Sequence, residues 1–381
     1  MSNIENLQNH SLCKLNGSFL NSSNNCFIIA EAGTSHQGNL ENAFKIIKAV
    51  KKTGADCIKF QYIIANEIVH PRSGLISLPG GKTDLYKKFL QLERNIEFYS
   101  QLKTMAESEG LSFLCTPFGI RSARALQDLK VKLYKIASPE VNHLFLLQEI
   151  ARYKLPVLLS CGVSLLSDIE RALTILDNNI VTLLHCITQY PSPEEQYNLN
   201  ILPHLSCLFG VSVGVSDHTL DVSLIPEIAV ALGAVVIEKH FTLKQENGGL
   251  DDLIALEPDQ FSYLGNQVRE VEETRNRMDT IKAINIIEQK HGIDRVKAVL
   301  GTGEKLLAKA EETNYKTSNR SLLFIRDAEA GATLSENLVA PLRSEKNLKP
   351  GLSPFHWPTV KGHKINKMVK SGEALQWNHL I

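Results

Sequence analysis

Short apolar stretches of this chain repeatedly end in a residue able to do chemistry. Glu31 closes the first, Lys59 and Gln61 the next, and then come Thr116, Lys135, Ser138 with Glu140, and Ser160. His185 with Thr188, Ser216 with Asp217 and His218, and Glu238 with His240 follow in the same way. Chance would scatter such residues along the stretches. Lysines, serines, carboxylates and histidines gathered at one level describe a site for a small, negatively charged, oxygen-rich substrate.

His218 and His240 are neutral nitrogen donors at the ends of two successive stretches, with carboxylates nearby, which suits a divalent transition metal such as manganese. The competing arrangement has each histidine capping its strand by a hydrogen bond, because 22 residues of separation is no local metal motif. Within GVSDHTL and VIEKHFTL the metal reading is preferred. Lys59 and Lys135 stand inside otherwise apolar stretches, where an unpaired ammonium is costly. Together they could hold a phosphate and a carboxylate, or form structural salt bridges with Glu31 and Glu140. Ser138, Ser160 and Ser216 add hydroxyls that complement a phosphate. Glu31, Glu140, Glu238 and Asp251 are candidates for acid–base work or for orienting sugar hydroxyls, and each could equally be an ion-pair partner. GTGEK (301–305) lacks P-loop spacing, His185 reads as a core residue or a support behind the site, and Cys186 has no paired base for nucleophilic catalysis.

The elements that must position these groups alternate in period. The apolar stretches 27–30, 57–61, 111–117, 132–138, 156–162, 181–187, 211–217 and 235–241 are short and β-branched. Between them lie amphipathic segments such as 39–54, with Ala43, Ile46, Ile47 and Val50 at helical spacing before Lys51, Lys52 and Gly54. Residues 167–176 and 224–234 have the same character. Eight such repeats predict an α/β fold, a parallel (β/α)8 TIM barrel, whose active site lies at the C-terminal ends of its strands. The Pro/Gly-containing segment 62–94 is expected as a long loop at that mouth.

The chain is expected to divide into a polar N-terminal segment (1–26), a barrel (27–278), a charged helical linker (279–318) and a small β-rich domain (319–381). A domain of about 60 residues needs something to pack against. Lys+Arg and Asp+Glu both number 41, which argues against nucleic-acid and anionic-membrane partners. No stretch approaches the roughly 18–20 apolar residues of a membrane helix. The N-terminus lacks the pattern of a secretory signal, and the seven scattered cysteines fit a reducing, cytoplasmic setting.

Several segments together resemble the sialic acid synthase family, the N-acetylneuraminate, legionaminate and pseudaminate synthases. They are IIAEAGTSHQGNLENAFKIIKAVKKTGADCIKFQ, FLCTPFGIRSARAL, LYKIASPEVNHLFLL, LLSCGVS, LLHCITQYPSPEEQYNLN, VGVSDHTLDVSLIPEIAVALGAVVIEKHFTL and GLDDLIALEP. NRSLLFIRDAEAGATLSENLVAPLR resembles the antifreeze-like (SAF) domain of those enzymes. The resemblance implies a barrel plus SAF domain in a domain-swapped homodimer, each small domain capping its partner's barrel. It implies condensation of phosphoenolpyruvate with an N-acyl amino sugar, aided by Mn2+ or Mg2+ on His218 and His240. Lys59, Thr116, Lys135, Ser138, Ser160 and Ser216 would hold phosphoenolpyruvate. Glu31, Glu140, Glu238, Tyr190 and Asp251 would address the sugar, the metal-bound water or the proton transfers. In the mechanism expected here, Glu140 is the first choice of base for the water that adds at C2. Departures from the family pattern fall at Cys161, at Thr188 and Gln189, at Asp251–Asp252, and in RSEKNLKPGLSP, where Arg343 is the nearest counterpart of the arginine expected over the acyl-amino group. They are expected on the acceptor-sugar side. The rival expectations are another phosphoenolpyruvate–sugar synthase, of the 3-deoxy-ulosonate phosphate type, and a sugar-binding module without catalysis.

Overall fold

The computed structural model describes residues 25–78 and 81–381. Most of the N-terminal segment expected over 1–26 therefore lies outside the described residues. In chain order the strands are β1 (Phe27–Gly33), β2 (Cys57–Tyr62), β3 (Leu75–Leu78), β4 (Gly81–Asp84), β5 (Ser112–Pro117) and β6 (Tyr134–Ile136). Then come β7 (Val157–Ser160), β8 (Val181–Cys186), β9 (Ser212–Asp217), β10 (Val236–His240), β11 (Arg320–Phe324) and β12 (Val339–Arg343). The helices are α1 (Leu40–Lys51), α2 (Ala65–Ile68), α3 (Leu85–Leu92), α4 (Ile96–Ser108), α5 (Ile120–Asp128) and α6 (Leu144–Ala151). They continue as α7 (Leu166–Ile175), α8 (Ile201–Phe209), α9 (Leu224–Ala231), α10 (Pro258–Arg277), α11 (Thr280–His291), α12 (Ile293–Leu300) and α13 (Trp357–Val360).

Eight parallel strands in the order β5-β2-β1-β10-β9-β8-β7-β6 curl into a nearly closed TIM barrel. Its seam falls between β5 and β6. Strand β6 is the shortest of the eight, because Ser138–Glu140 turns into a 3-10 helix around Pro139, which has no N–H for a ladder.

A strand turns alternate side chains to opposite faces, and that period explains the site. Phe27 and Ile29, Cys57, Leu114, Leu158, Leu184 and Val236 form one apolar cluster in the barrel interior. Stepping two residues further along each strand from the uppermost of these keeps the same face and reaches Glu31, Lys59, Thr116, Ser160, Cys186 and Glu238. The intervening residues, such as Ile28, Ala30, Ile58, Phe60, Leu159 and Ile237, belong to the core between barrel and helices. Helix α1 illustrates the outer layer: Asn39 caps it by accepting from the Asn42 N–H, and Ala43, Ile46, Ile47 and Val50 are its buried stripe.

Residues 62–94 are more ordered than a loop. They contain α2, the β3–β4 hairpin and α3, which Asp84 caps by accepting from the Lys87 N–H at 3.1 Å. Leu85, Phe89 and Leu92 repeat at helical spacing and are buried beside Ile63 and Ile68, so the apolar stripe outweighs the neighbouring Pro and Gly. Among 279–318, α11 and α12 bury Ala283, Ile287, Val296 and Val299 against the barrel. Residues 301–319 then run across the barrel rim. Glu311 accepts from the N–H groups of Val163 and Thr188, both at 2.7 Å, and Asn319 donates to the Val163 carbonyl.

Beyond Arg320, β11 and β12 pair antiparallel, with isolated bridges such as Leu323 to Ala374 and Ala328 to Val369 around them. Leu322, Phe324, Leu334, Leu338, Trp357, Val360, Ile365 and Leu375 form the core of this module, and Leu144 of α6 completes it. The module thus packs on the barrel, which answers the size constraint. Within this single chain it covers the barrel mouth, through Asn142, Val69 and Ser73.

Candidate active site

The inward residues at the strand ends form a bonded cluster of charges. Lys59 Nζ lies 2.9 Å from Glu31 and 3.3 Å from Glu238, and Lys135 Nζ lies 3.0 Å from the other oxygen of Glu238. Ser216 Oγ donates to Glu238 at 2.9 Å, Gln61 donates to Glu31 at 2.8 Å, and Lys59 reaches Thr116 Oγ1 at 3.4 Å. All but Gln61 are buried. The partner of Lys135 is Glu238, not the Glu140 that the salt-bridge alternative supposed.

Burial alone would discharge this cluster, yet pairing holds its central members ionised. Desolvation works against the Glu238 carboxylate, but Lys135 and Lys59 outweigh it and hold its pKa below the usual carboxylate range. Desolvation likewise opposes the Lys59 charge, and Glu238 and Glu31 outweigh it and raise its pKa. At Lys135 burial wins and the pKa is lowered, because Glu238 is shared and Lys59 repels it.

Ser138 and Ser160 flank this cluster. Ser138 Oγ accepts from the Gly162 N–H at 3.0 Å, and Ser160 Oγ is buried without a hydrogen-bond partner among the described residues. The outward residues behave differently. His185 sits in the outer layer against Tyr197, as the core reading expected, with Nε2 2.6 Å from the Tyr197 carbonyl. Cys161 also faces outward, its thiol on the Leu184 carbonyl at 3.4 Å. The expectation that the Cys161 departure lies on the acceptor side is therefore corrected: strand parity turns that side chain away from the mouth.

His218 and His240 lie side by side with ring centroids 5.4 Å apart, and Tyr190 stacks on His218 at 4.3 Å. His218 Nδ1 is 2.9 Å from the Ile187 carbonyl. A carbonyl only accepts, so Nδ1 carries the proton and Nε2 keeps its lone pair, the tautomer a metal ligand needs. Burial lowers the pKa of both histidines, and at His240 the neighbouring His218 lowers it further. Both are thus neutral donors. Among the described residues no group of three or more His, Cys, Asp or Glu is disposed to hold a metal. The donor set fits a divalent ion held by two imidazoles that leaves its other positions to water or substrate oxygens. On the outer face, Lys239 bonds Asp217 and the carbonyls of Thr219 and Asp221, fixing the turn that carries His218.

Asp251 borders this pair. Its carboxyl is pushed up to about 6, first by burial and then by the negative charge of Glu31. That value suits a group exchanging protons near neutrality.

Glu140 forms a separate cluster. It is buried, and its two oxygens receive Arg320 Nε and Arg343 Nη2, the latter at 2.6 Å. Desolvation opposes its charge, but the two guanidiniums outweigh it and hold its pKa below the usual range. A carboxylate so engaged is a poor proton acceptor, so the expectation of Glu140 as the base for water is revised. Its geometry is that of an anchor for the C-terminal module. Arg343, the counterpart named for the acyl-amino contact, does reach the mouth, with its guanidinium 5.5 Å over the Phe118 ring. Arg320 and Glu311 were missed in the sequence, although a lone arginine opening the apolar run of β11 was a usable signal.

The NeuB family model matches residues 46–280. The N,N'-diacetyllegionaminic acid synthase of Campylobacter jejuni is 32% identical over 358 residues, covering 92% of this chain and 98% of that one. The crystal structure of the spore coat polysaccharide biosynthesis protein SpsE of Bacillus subtilis superposes with a TM-score of 0.78 at 29% identity, covering 94% of this chain and 95% of that one. The sialic acid synthetase of Leptospira borgpetersenii, solved with citrate, gives a TM-score of 0.60 at 28% identity over 77% of this chain and 91% of that one.

Native Asp251 keeps its proton up to about pH 6, whereas the unfolded chain releases it at about pH 4. Between those values the unfolded state binds fewer protons, so this group's contribution to stability falls as pH rises through the window. Measured by urea unfolding of chelated protein, wild type should lose about 1–3 kcal/mol relative to Asp251→Asn between pH 4 and 6. A difference that stays constant across the window contradicts the assignment.

Proposed function

Because the chain belongs to the NeuB family, we propose that it is an enzyme condensing phosphoenolpyruvate with an N-acyl hexosamine to give a nonulosonic, sialic-type acid and phosphate. The observation that carries this reading is the ring of Lys59, Lys135, Glu31 and Glu238 beside two neutral imidazoles. Its lysines already have internal counter-ions. An incoming phosphate and carboxylate would leave excess negative charge, which a divalent cation would offset.

Lys59, Thr116, Lys135, Ser138, Ser160 and Ser216 hold the phosphate and carboxylate of phosphoenolpyruvate. Ser160 brings a buried hydroxyl with spare bonding capacity. His218 and His240 are the residues that would hold Mn2+ or Mg2+, which supplies Lewis acidity toward the open-chain sugar aldehyde. As C3 of phosphoenolpyruvate attacks the aldehyde carbon, positive charge develops at C2, and Glu31 and Glu238 face it as fixed carboxylates. Asp251 takes one proton of the water that adds at C2 and passes it to the aldehyde oxygen as that becomes a hydroxyl. Phosphate departs by C–O cleavage into the lysines, taking the proton of the C2 hydroxyl as the ketone forms. Tyr190 and Arg343 contact the sugar. The module over the mouth is proposed as an SAF domain, and the setting as the cytoplasm, where the cysteines remain thiols.

Phosphate release should require phosphoenolpyruvate, Mn2+ or Mg2+, and one acceptor among N-acetylmannosamine, its 6-phosphate and the di-acetamido-trideoxy hexoses. Chelation should abolish it. No release with any acceptor from folded protein contradicts the proposal, and release only with the 6-phosphate favours the phosphorylated-acceptor type.

The resemblance also implies a homodimer with exchanged caps. Exchange of identical elements between protomers preserves each cap–barrel contact described above. Mixing Lys135→Met with Arg343→Met, each inactive alone, should then restore activity by assembling one complete site per mixed dimer. No restoration would mean that each chain caps its own barrel.

A further inference from the structure

Two arginines of the C-terminal module meet the same carboxylate, and they are bonded in opposite ways. Arg320 is fully buried, and each of its guanidinium nitrogens is engaged. Its Nε donates to Glu140, its Nη1 to the carbonyls of Glu67, Ile68 (2.9 Å) and Pro341 (3.2 Å), and its Nη2 to the carbonyl of Phe118 (2.8 Å). Its backbone is clamped too, because the Asn142 amide accepts from the Arg320 N–H at 3.0 Å and donates to its carbonyl at 2.9 Å. Arg343 spends only Nη2 on Glu140, and its buried Nε has no partner among the described residues.

The carbonyls bound by Arg320 belong to the segments that follow β2 and β5 and to β12, while Glu140 and Asn142 follow β6. One guanidinium therefore joins three barrel loops to the module. It also occupies one oxygen of Glu140 and leaves Arg343 the other. Without Arg320, Glu140 would be free to draw Arg343 into a two-pronged pair, the geometry a guanidinium and a carboxylate favour. Arg343 would then be withdrawn from the mouth.

We propose that Arg320 is a positioning residue that holds Glu140 and the loops after β2, β5 and β6 so that Arg343 stays available to the acceptor sugar. The inference rests on the synthase reading above. Arg320 is fully buried with each guanidinium nitrogen bonded to protein, so its influence is exerted through Glu140 and Arg343. The effect falls on the acceptor side, because Lys59 and Lys135 take Glu31 and Glu238 as their ion-pair partners among the described residues, and not Glu140.

Steady-state kinetics of Arg320→Lys and Arg320→Met test this, with the acceptor that supports phosphate release. Lysine keeps the charge and loses the fork, and methionine loses both. Acceptor KM should rise at least about tenfold in both variants, while KM for phosphoenolpyruvate stays within about twofold. Folded variants with unchanged acceptor KM, or with both substrates affected equally, overturn the proposal. So does a module that detaches in both variants, seen as protease cleavage within 301–319 at unchanged barrel stability, because Arg320 would then be a docking residue only. Wild-type protein that releases no phosphate with any acceptor overturns the synthase reading, and this inference with it.

Discussion

Charges removed from water must come close to cancelling, and the mouth of this barrel is organised around that requirement. Lys59 and Lys135 face Glu31 and Glu238 with each group buried. Each ion carries a desolvation cost of roughly several kcal/mol, which only pairing and additional hydrogen bonds offset. Ser216, Gln61 and Thr116 supply those bonds. In the proposed function, a substrate bearing phosphate and carboxylate would enter this network by exchanging internal partners for its own oxygens. The strands fix the positions in advance: Glu31 pairs in register with Lys59 and with His240, and Glu238 with Ser216. Little reorganisation is then left for the moment of reaction.

The same requirement explains how the small module is attached. Glu140 would be an uncompensated charge in the barrel, and Arg320 and Arg343 would be two in the module. Brought together they neutralise one another in part, and Glu345 adds negative charge beside Arg343. The module's apolar core is small and borrows Leu144 from α6, so it gains stability from the contact. Cap docking and site electrostatics thus share the same residues.

Much of the barrel and its site was legible because period and position are one-dimensional signals. The eight apolar runs became the eight barrel strands, and their polar ends became the ring, since a period of two sends Ile29 and Glu31, or Cys57 and Lys59, to the same face. Pairing was less legible. Lys135 meets Glu238, 103 residues away, and Glu140 meets Arg320, 180 residues away, and no local pattern encodes either. The roles of Glu140 and of Cys161 were altered by that missing third dimension, one by its partners and the other by its face. Residues 62–94 concealed two helices because Pro71, Pro79, Gly74, Gly80 and Gly81 are a stronger local signal than the stripe Leu85, Phe89, Leu92.

The claim on which the rest depends is that the Lys59–Lys135 cluster is where phosphoenolpyruvate binds. Calorimetric titration of phosphoenolpyruvate into wild type and Lys135→Met, with Mn2+ and without acceptor, measures it directly. Loss of one charged partner should weaken binding by roughly 10–100-fold, while the thermal transition shows that the variant remains folded. A folded Lys135→Met protein that binds phosphoenolpyruvate as tightly as wild type would contradict the account.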